Sequence, residues 1–135
     1  TPVAVDSLIE IDFGSLEGKT YEEMDEPERT AMTQWLSNPR SHSIPGGESL
    51  LQFRQRLEDG YNEILDNHSS GNLIIVSHAG AIRVLVAGIL EIPLAKITRL
   101  KVTTASLTII IYDDWGNPYL ELFNDVCYLR GEQGK

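Results

Sequence analysis

NLIIVSHAGAIRVL, residues 72–85, is the stretch on which the fold turns. Its apolar run, Leu73-Ile74-Ile75-Val76, has the character of a strand buried on both faces, as in parallel sheets. The run stops at Ser77 and a histidine follows. Small residues then open a helix over residues 79–91 that is apolar nearly all round, with Ile82, Val84, Leu85, Val86, Ile89 and Leu90. A strand that hands over to a helix at His78 puts that ring at the carboxyl edge of a sheet, where α/β folds bind ligands. The first-turn N–H groups of Ala79, Gly80 and Ala81 have no acceptor within the helix, and their small side chains let an anion come close. An imidazolium added there makes a compact phosphate receptor. The same position also suits a helix-capping or core histidine bonded to backbone, and the pattern leaves both readings open.

Outward from this stretch, the signals are those of alternating helices and strands. Residues 2–5 look extended. Leu8-Ile9-Glu10-Ile11-Asp12-Phe13 alternates apolar and acidic residues up to Gly14, as a short strand or an ordered loop does. Thr20 is placed to cap a short helix, and Pro27 to start a second one through Trp35-Leu36. Residues 37–47 are rich in turn formers. Residues 48–67 read as the clearest helix, because Leu50, Phe53, Leu57, Tyr61 and Ile64 form one apolar stripe, weakened locally at Gly60. Pro93 begins a helical turn up to Leu100. Ser106–Tyr112 and Tyr119–Phe123 flank the turn Asp113-Asp114-Trp115-Gly116-Asn117 as a hairpin. The tail from Arg130 is polar and expected to fray. This order implies an α/β layer fold in a single domain over residues 1–135. The visible strands are few, however, for one that should be buried on both faces.

Composition narrows the function. The chain has 135 residues, 41% hydrophobic and 23% charged, with a formal net charge of −9. That charge argues against nucleic acid as a partner but leaves room for a small anion bound at a local positive site. No apolar run is long enough to suggest a membrane span. The start, Thr1-Pro2-Val3-Ala4-Val5-Asp6, does not read as a signal peptide and lacks an initiator Met. A single cysteine, Cys127, excludes an internal disulfide and suits the cytoplasm; it reads as a small apolar residue rather than a catalytic thiol. Asn67-His68-Ser69 matches a glycosylation sequon by chance.

Glu10 lies in the otherwise apolar stretch Leu8-Ile9-Glu10-Ile11. A carboxylate held among apolar neighbours has a raised pKa, which suits a general acid; a side chain pointing out of a half-exposed strand fits the pattern too. Pro45-Gly46-Gly47-Glu48-Ser49-Leu50 lacks the lysine and spacing of a P-loop. Its glycines read as suppliers of unusual backbone angles, with Glu48 and Ser49 starting the long helix. His42 and His68 read as surface residues. No histidine pair has metal-ligand spacing, so no metal site is expected.

Together these stretches resemble the histidine phosphatase superfamily, in its phosphoglycerate mutase-like branch. The resemblance rests on residues 8–18 (LIEIDFGSLEG), on Pro45-Gly46-Gly47-Glu48-Ser49-Leu50 with Arg56 beyond, on Val76-Ser77-His78-Ala79-Gly80-Ala81-Ile82-Arg83, and on Asn124-Asp125. The style of the first two is most similar to the alpha-ribazole phosphatase-like small phosphatases. The resemblance implies a three-layer sheet with helices on both faces. It also implies a phosphohistidine mechanism that acts on a small phosphorylated metabolite without a cofactor. By motif, His78 is similar to the family's second, charge-stabilising histidine, Glu10 to its acid, and the Ala79 N–H to a phosphate ligand. Glu17, Gly18, Glu48 and Arg56 match as scaffold.

The pattern departs from the family in two regions. The family's nucleophile sits in an Arg-His-Gly triplet after its first strand, and a second phosphate-binding arginine follows; neither is present here. The tail reads Asn124-Asp125-Val126-Cys127-Tyr128-Leu129 where the family has Asn-Asp-x-x-His-Leu. The chain therefore looks like the C-terminal two-thirds of a phosphatase, lacking a central strand and inactive by itself. A bare strand edge beside Leu73–Val76 is an aggregation hazard. Two other readings stay open: a non-catalytic phosphate-binding or regulatory module, and a mutase-type phosphotransferase. The partners expected are a small phosphorylated substrate or inorganic phosphate, with a homodimer also open, and neither nucleic acid nor membrane.

Overall fold

Two capping boxes set the first two helices. In the computed structural model, which describes residues 1–68 and 70–132, Asp25 accepts from the Glu28 N–H while the Glu28 carboxylate accepts from the Asp25 N–H. Pro27 lies in the first turn, and helix α1 runs Glu26–Ser37. Ser49 and Gln52 repeat the arrangement at the start of α2, Leu50–Asn67. Each box satisfies N–H groups that a helix start otherwise leaves without acceptors. On α2 the expected stripe faces inward: Leu50, Phe53 and Leu57 are buried, with Leu57 at 0% exposure. Where a short helix was expected after Thr20, the chain makes a turn closed by Glu23 N–H to the Thr20 carbonyl, and Thr20 N–H to the Glu23 carboxylate.

Two compact units divide the chain, Thr1–Ala81 and Ile82–Lys135. In the first, Leu16, Met24 and Ile44 form a small core with Phe13, Met32 and Trp35 packed on it. Residues 9–13 are an ordered loop, not a strand, bounded by 3-10 turns at Asp6–Leu8 and Gly14–Leu16. This loop abuts the Pro45–Glu48 loop backbone to backbone, with Ser15 N–H to Pro45 O at 3.0 Å and Glu48 N–H to Asp12 O at 2.9 Å. A Cβ on Gly47 would sit 2.9 Å from the Gly14 nitrogen, so glycine is needed there for approach.

Residues 72–78 correct the expectation of a strand buried on both faces. They lie in neither helix nor strand, and Ile74 and Val76 are 91% and 92% exposed. A strand needs neighbours to pair with, and the described strands, Leu107–Tyr112 and Pro118–Asp125, pair only with each other among the described residues. Helix α3 follows, Ala79–Ile89.

In the second unit Val84, Leu85, Val86, Ala87, Leu94 and Ile97 are buried, the last two in a 3-10 segment, Leu94–Arg99, that begins after Pro93. Strands β1 (Leu107–Tyr112) and β2 (Pro118–Asp125) form the expected antiparallel hairpin. Its turn is tied by Asp113, whose carboxylate accepts from the N–H groups of Trp115 and Asn117. Register irregularities fall between Leu107 and Ile110. Opposite them, Asn124 takes φ +53° while its side chain accepts from the Thr103 N–H. Asn124 is thus a structural latch for an irregular ladder. A 3-10 segment runs Cys127–Glu132, so the tail expected to fray from Arg130 stays turned as far as Glu132. The rest of the tail, and Ser69 of the sequon, lie outside the described residues. The chain is α/β, as its sequence implies, and the sheet described has two strands.

Candidate active site

Arg56, on the inward face of α2, organises the loop that carries Glu10. Its Nη1 donates to the carbonyls of Ser7 (2.9 Å) and Ile9 (3.2 Å), and its Nη2 to that of Glu10 (3.1 Å). Its other edge meets Glu48 in a two-point ion pair, Nε to Oε1 at 2.7 Å and Nη2 to Oε2 at 2.6 Å. Glu48 closes the circuit by accepting from the Asp12 N–H at 3.0 Å. A guanidinium fork suits this work because its donors are fixed in one plane. The Arg56 hydrogen bond holds the Glu48 carboxyl below its ordinary pKa against the cost of partial burial, with the Asp12 N–H adding to the effect. Reciprocally, Glu48 raises Arg56.

The loop thus fixed delivers the Glu10 side chain to α3. Glu10 Oε2 accepts from the Gly80 N–H at 3.0 Å, and Oε1 from the N–H of Ile11 at 3.1 Å. The carboxylate of this half-buried residue is met by backbone N–H groups. It occupies part of the N-terminal turn of α3, which favours a negative group. Ser77 Oγ donates to the Leu8 carbonyl at 2.6 Å, fastening the same loop just ahead of His78.

His78 is exposed, and among the described residues no group hydrogen-bonds its ring. The N–H of Ala79 has no acceptor there either. The structure therefore brings Glu10 to the turn that begins immediately after His78. His42 and His68 lie elsewhere, each with Nδ1 on a backbone carbonyl four residues earlier, Asn38 and Ile64. Cys127 is exposed. Among the described residues no three or more His, Cys, Asp or Glu side chains are grouped to hold a metal, and no described helix is long and apolar enough to cross a membrane.

The sequence profile of the histidine phosphatase superfamily (branch 1) matches residues 1–126. The chain belongs to that superfamily. It is 30% identical over 131 residues to putative phosphoserine phosphatase 2 of Hydrogenobacter thermophilus, covering 96% of this chain and 64% of the relative. YhfR of Bacillus stearothermophilus superposes with a TM-score of 0.83 at 26% identity, over 92% of this chain and 61% of that one. The alpha-ribazole phosphatase of Shigella flexneri gives 0.77 at 21% identity, over 88% and 58%, a likeness of fold. The chain thus spans less than two-thirds of the length of these relatives. This histidine phosphatase chain has three histidines, none of them in an Arg-His-Gly triplet.

The sequence marks Arg56 and Glu48 as scaffold and the Gly80 N–H as a free first-turn donor, but not the link of either to Glu10. A glycine in the first turn of an otherwise apolar helix was the one signal available.

Proposed function

We propose that the chain supplies the acid and the phosphate-binding end of a phosphohistidine-type phosphatase acting on a small phosphomonoester. One observation carries this: the Glu10 carboxylate is held against the first turn of α3, two residues past His78. On this reading the N–H of Ala79 and the His78 imidazolium receive the phosphoryl oxygens and offset the charge that gathers on them. A nucleophilic imidazole attacks phosphorus while the bond to the leaving oxygen breaks, and Glu10 gives that oxygen its proton. Water then attacks phosphorus, the P–N bond breaks, and Glu10 takes the proton back as phosphate departs. The nucleophile is not one of the residues assigned here. The chain therefore acts as the C-terminal two-thirds of a longer domain and turns over little by itself. A phosphorylated metabolite is supported by the phosphoserine phosphatase name of the 30% identical relative. A cytoplasmic location is supported by the single cysteine.

The test is calorimetric titration of the 135-residue chain with inorganic phosphate, paired with a p-nitrophenyl phosphate assay. Phosphate binding that His78→Ala abolishes, with no hydrolysis above buffer, is expected. Binding that His78→Ala leaves intact contradicts the site. Hydrolysis abolished by His78→Ala would instead make His78 the nucleophile.

A further inference from the structure

Gly80 is helical, and its backbone angles are open to any residue. Helix propensity favours alanine there. What sets position 80 apart is space. An added Cβ would fall inside van der Waals contact of Glu10 Oε1, 2.9 Å from its Cδ and 3.0 Å from Oε2. Those are its three nearest neighbours, and all belong to one carboxyl group. Gly60 on α2 treats Ser7 in the same way: an added Cβ there would lie 2.5 Å from the Ser7 Cβ. Two helical glycines thus admit the Ser7–Glu10 segment, and Arg56 ties down the carbonyls of Ser7, Ile9 and Glu10.

We propose that Gly80 is a positioning residue: its missing side chain is the seat of the Glu10 carboxylate, and Arg56 with Glu48 fixes the main chain so that the side chain reaches that seat. The proposal rests on the reading of Glu10 as the acid, which it deepens. Gly80 touches no substrate and acts through Glu10. A Cβ at position 80 displaces only the far end of a flexible side chain, so Gly80→Ala folds. The carboxylate moves off the N–H of residue 80, and the acid loses its aim.

The experiment follows the backbone amide of residue 80 by proton–nitrogen correlation NMR while pH falls from neutral through the carboxylate range. The 135-residue chain is compared with Glu10→Gln, Gly80→Ala and Glu10→Asp. Glu10→Gln identifies the step due to Glu10, apart from those of Asp12 and Glu48 on the same network. The wild-type amide is expected to move with Glu10. Gly80→Ala should lose that step while melting at the same temperature as wild type or higher, an outcome that a purely structural glycine would not give. Glu10→Asp, which withdraws the carboxylate without touching α3, should lose the step too. A residue-80 amide that keeps the full Glu10 step in the Gly80→Ala variant overturns the proposal, as does one that keeps the full step in Glu10→Asp. The phosphate response of the His78 ring is read in the same samples. Its absence from wild type would sink the functional reading, whereas the amide step alone judges the seat.

Discussion

Glu10 Oε2 lies 3.0 Å from the backbone nitrogen of Gly80, seventy residues away in the chain. Neither residue achieves this alone. Glu10 is carried by a loop whose carbonyls are tied to α2, and Gly80 offers an N–H at the start of α3 with no side chain in front of it. The acid that the family resemblance implies is therefore held by two elements distant in sequence.

Arg56 is the strongest single tie in that arrangement. Arg56→Ala leaves Glu48 partly buried without its partner and frees three carbonyls. A loss of about 1–3 kcal/mol is expected from leaving a partly buried carboxylate and these carbonyls without their donor. Arg56→Lys keeps the charge but not the fork, and should recover less than half of the loss. Urea denaturation of the three proteins checks both.

Glu48 makes stability depend on acid. Its folded pKa lies below the ordinary carboxylate value because Arg56 and the Asp12 N–H favour the charged form. Its contribution is therefore complete above the unfolded carboxylate pKa and is lost as pH falls through the lower, folded value. Glu48→Gln should be less stable than wild type at neutral pH, and the gap should narrow as the solution is acidified. Melting curves from pH 7 to about pH 3 measure this; a gap that widens in acid contradicts it.

How much of this the sequence discloses depends on how local the cause is. Asp25 with Glu28, and Ser49 with Gln52, bond within one turn, so the helix starts are written in neighbouring residues. The hairpin turn is likewise local, around Asp113. Leu73–Val76 has the composition of a strand, but a ladder belongs to its neighbours and not to the run itself. Glu10 shows the same limit. Its pattern fits both an apolar setting and an outward-pointing side chain, and its oxygens are met by N–H groups, one of them beyond the reach of any local rule. Steric absence is harder still to see: nothing near Gly80 in sequence says that a carboxylate needs its space.

The two helical glycines should separate in their effects. An added Cβ at Gly60 meets the Ser7 Cβ next to its backbone, and α2 or the loop must shift. Gly60→Ala is expected to cost about 1–3 kcal/mol, the usual range for overpacking. Gly80→Ala should cost nothing by the same measurement. Equal costs at the two positions would contradict the distinction drawn between backbone-near and side-chain-tip clashes.

The exposed β-branched side chains at 74 and 76 carry a cost in solution. An apolar run with no strand partner invites pairing with other chains. The 135-residue chain should show concentration-dependent association in sedimentation velocity, and Ile74→Lys with Val76→Lys should suppress it. Association that is unchanged by both substitutions would place the contact elsewhere.

Whether a phosphate group settles between the His78 ring and the N–H of Ala79 is decided by NMR titration of the chain with inorganic phosphate. Saturable shifts are expected at the His78 ring and the Ala79 amide, with the rings of His42 and His68 unmoved. A His78 ring that does not respond, or that drifts in step with the other two histidines, would contradict that placement.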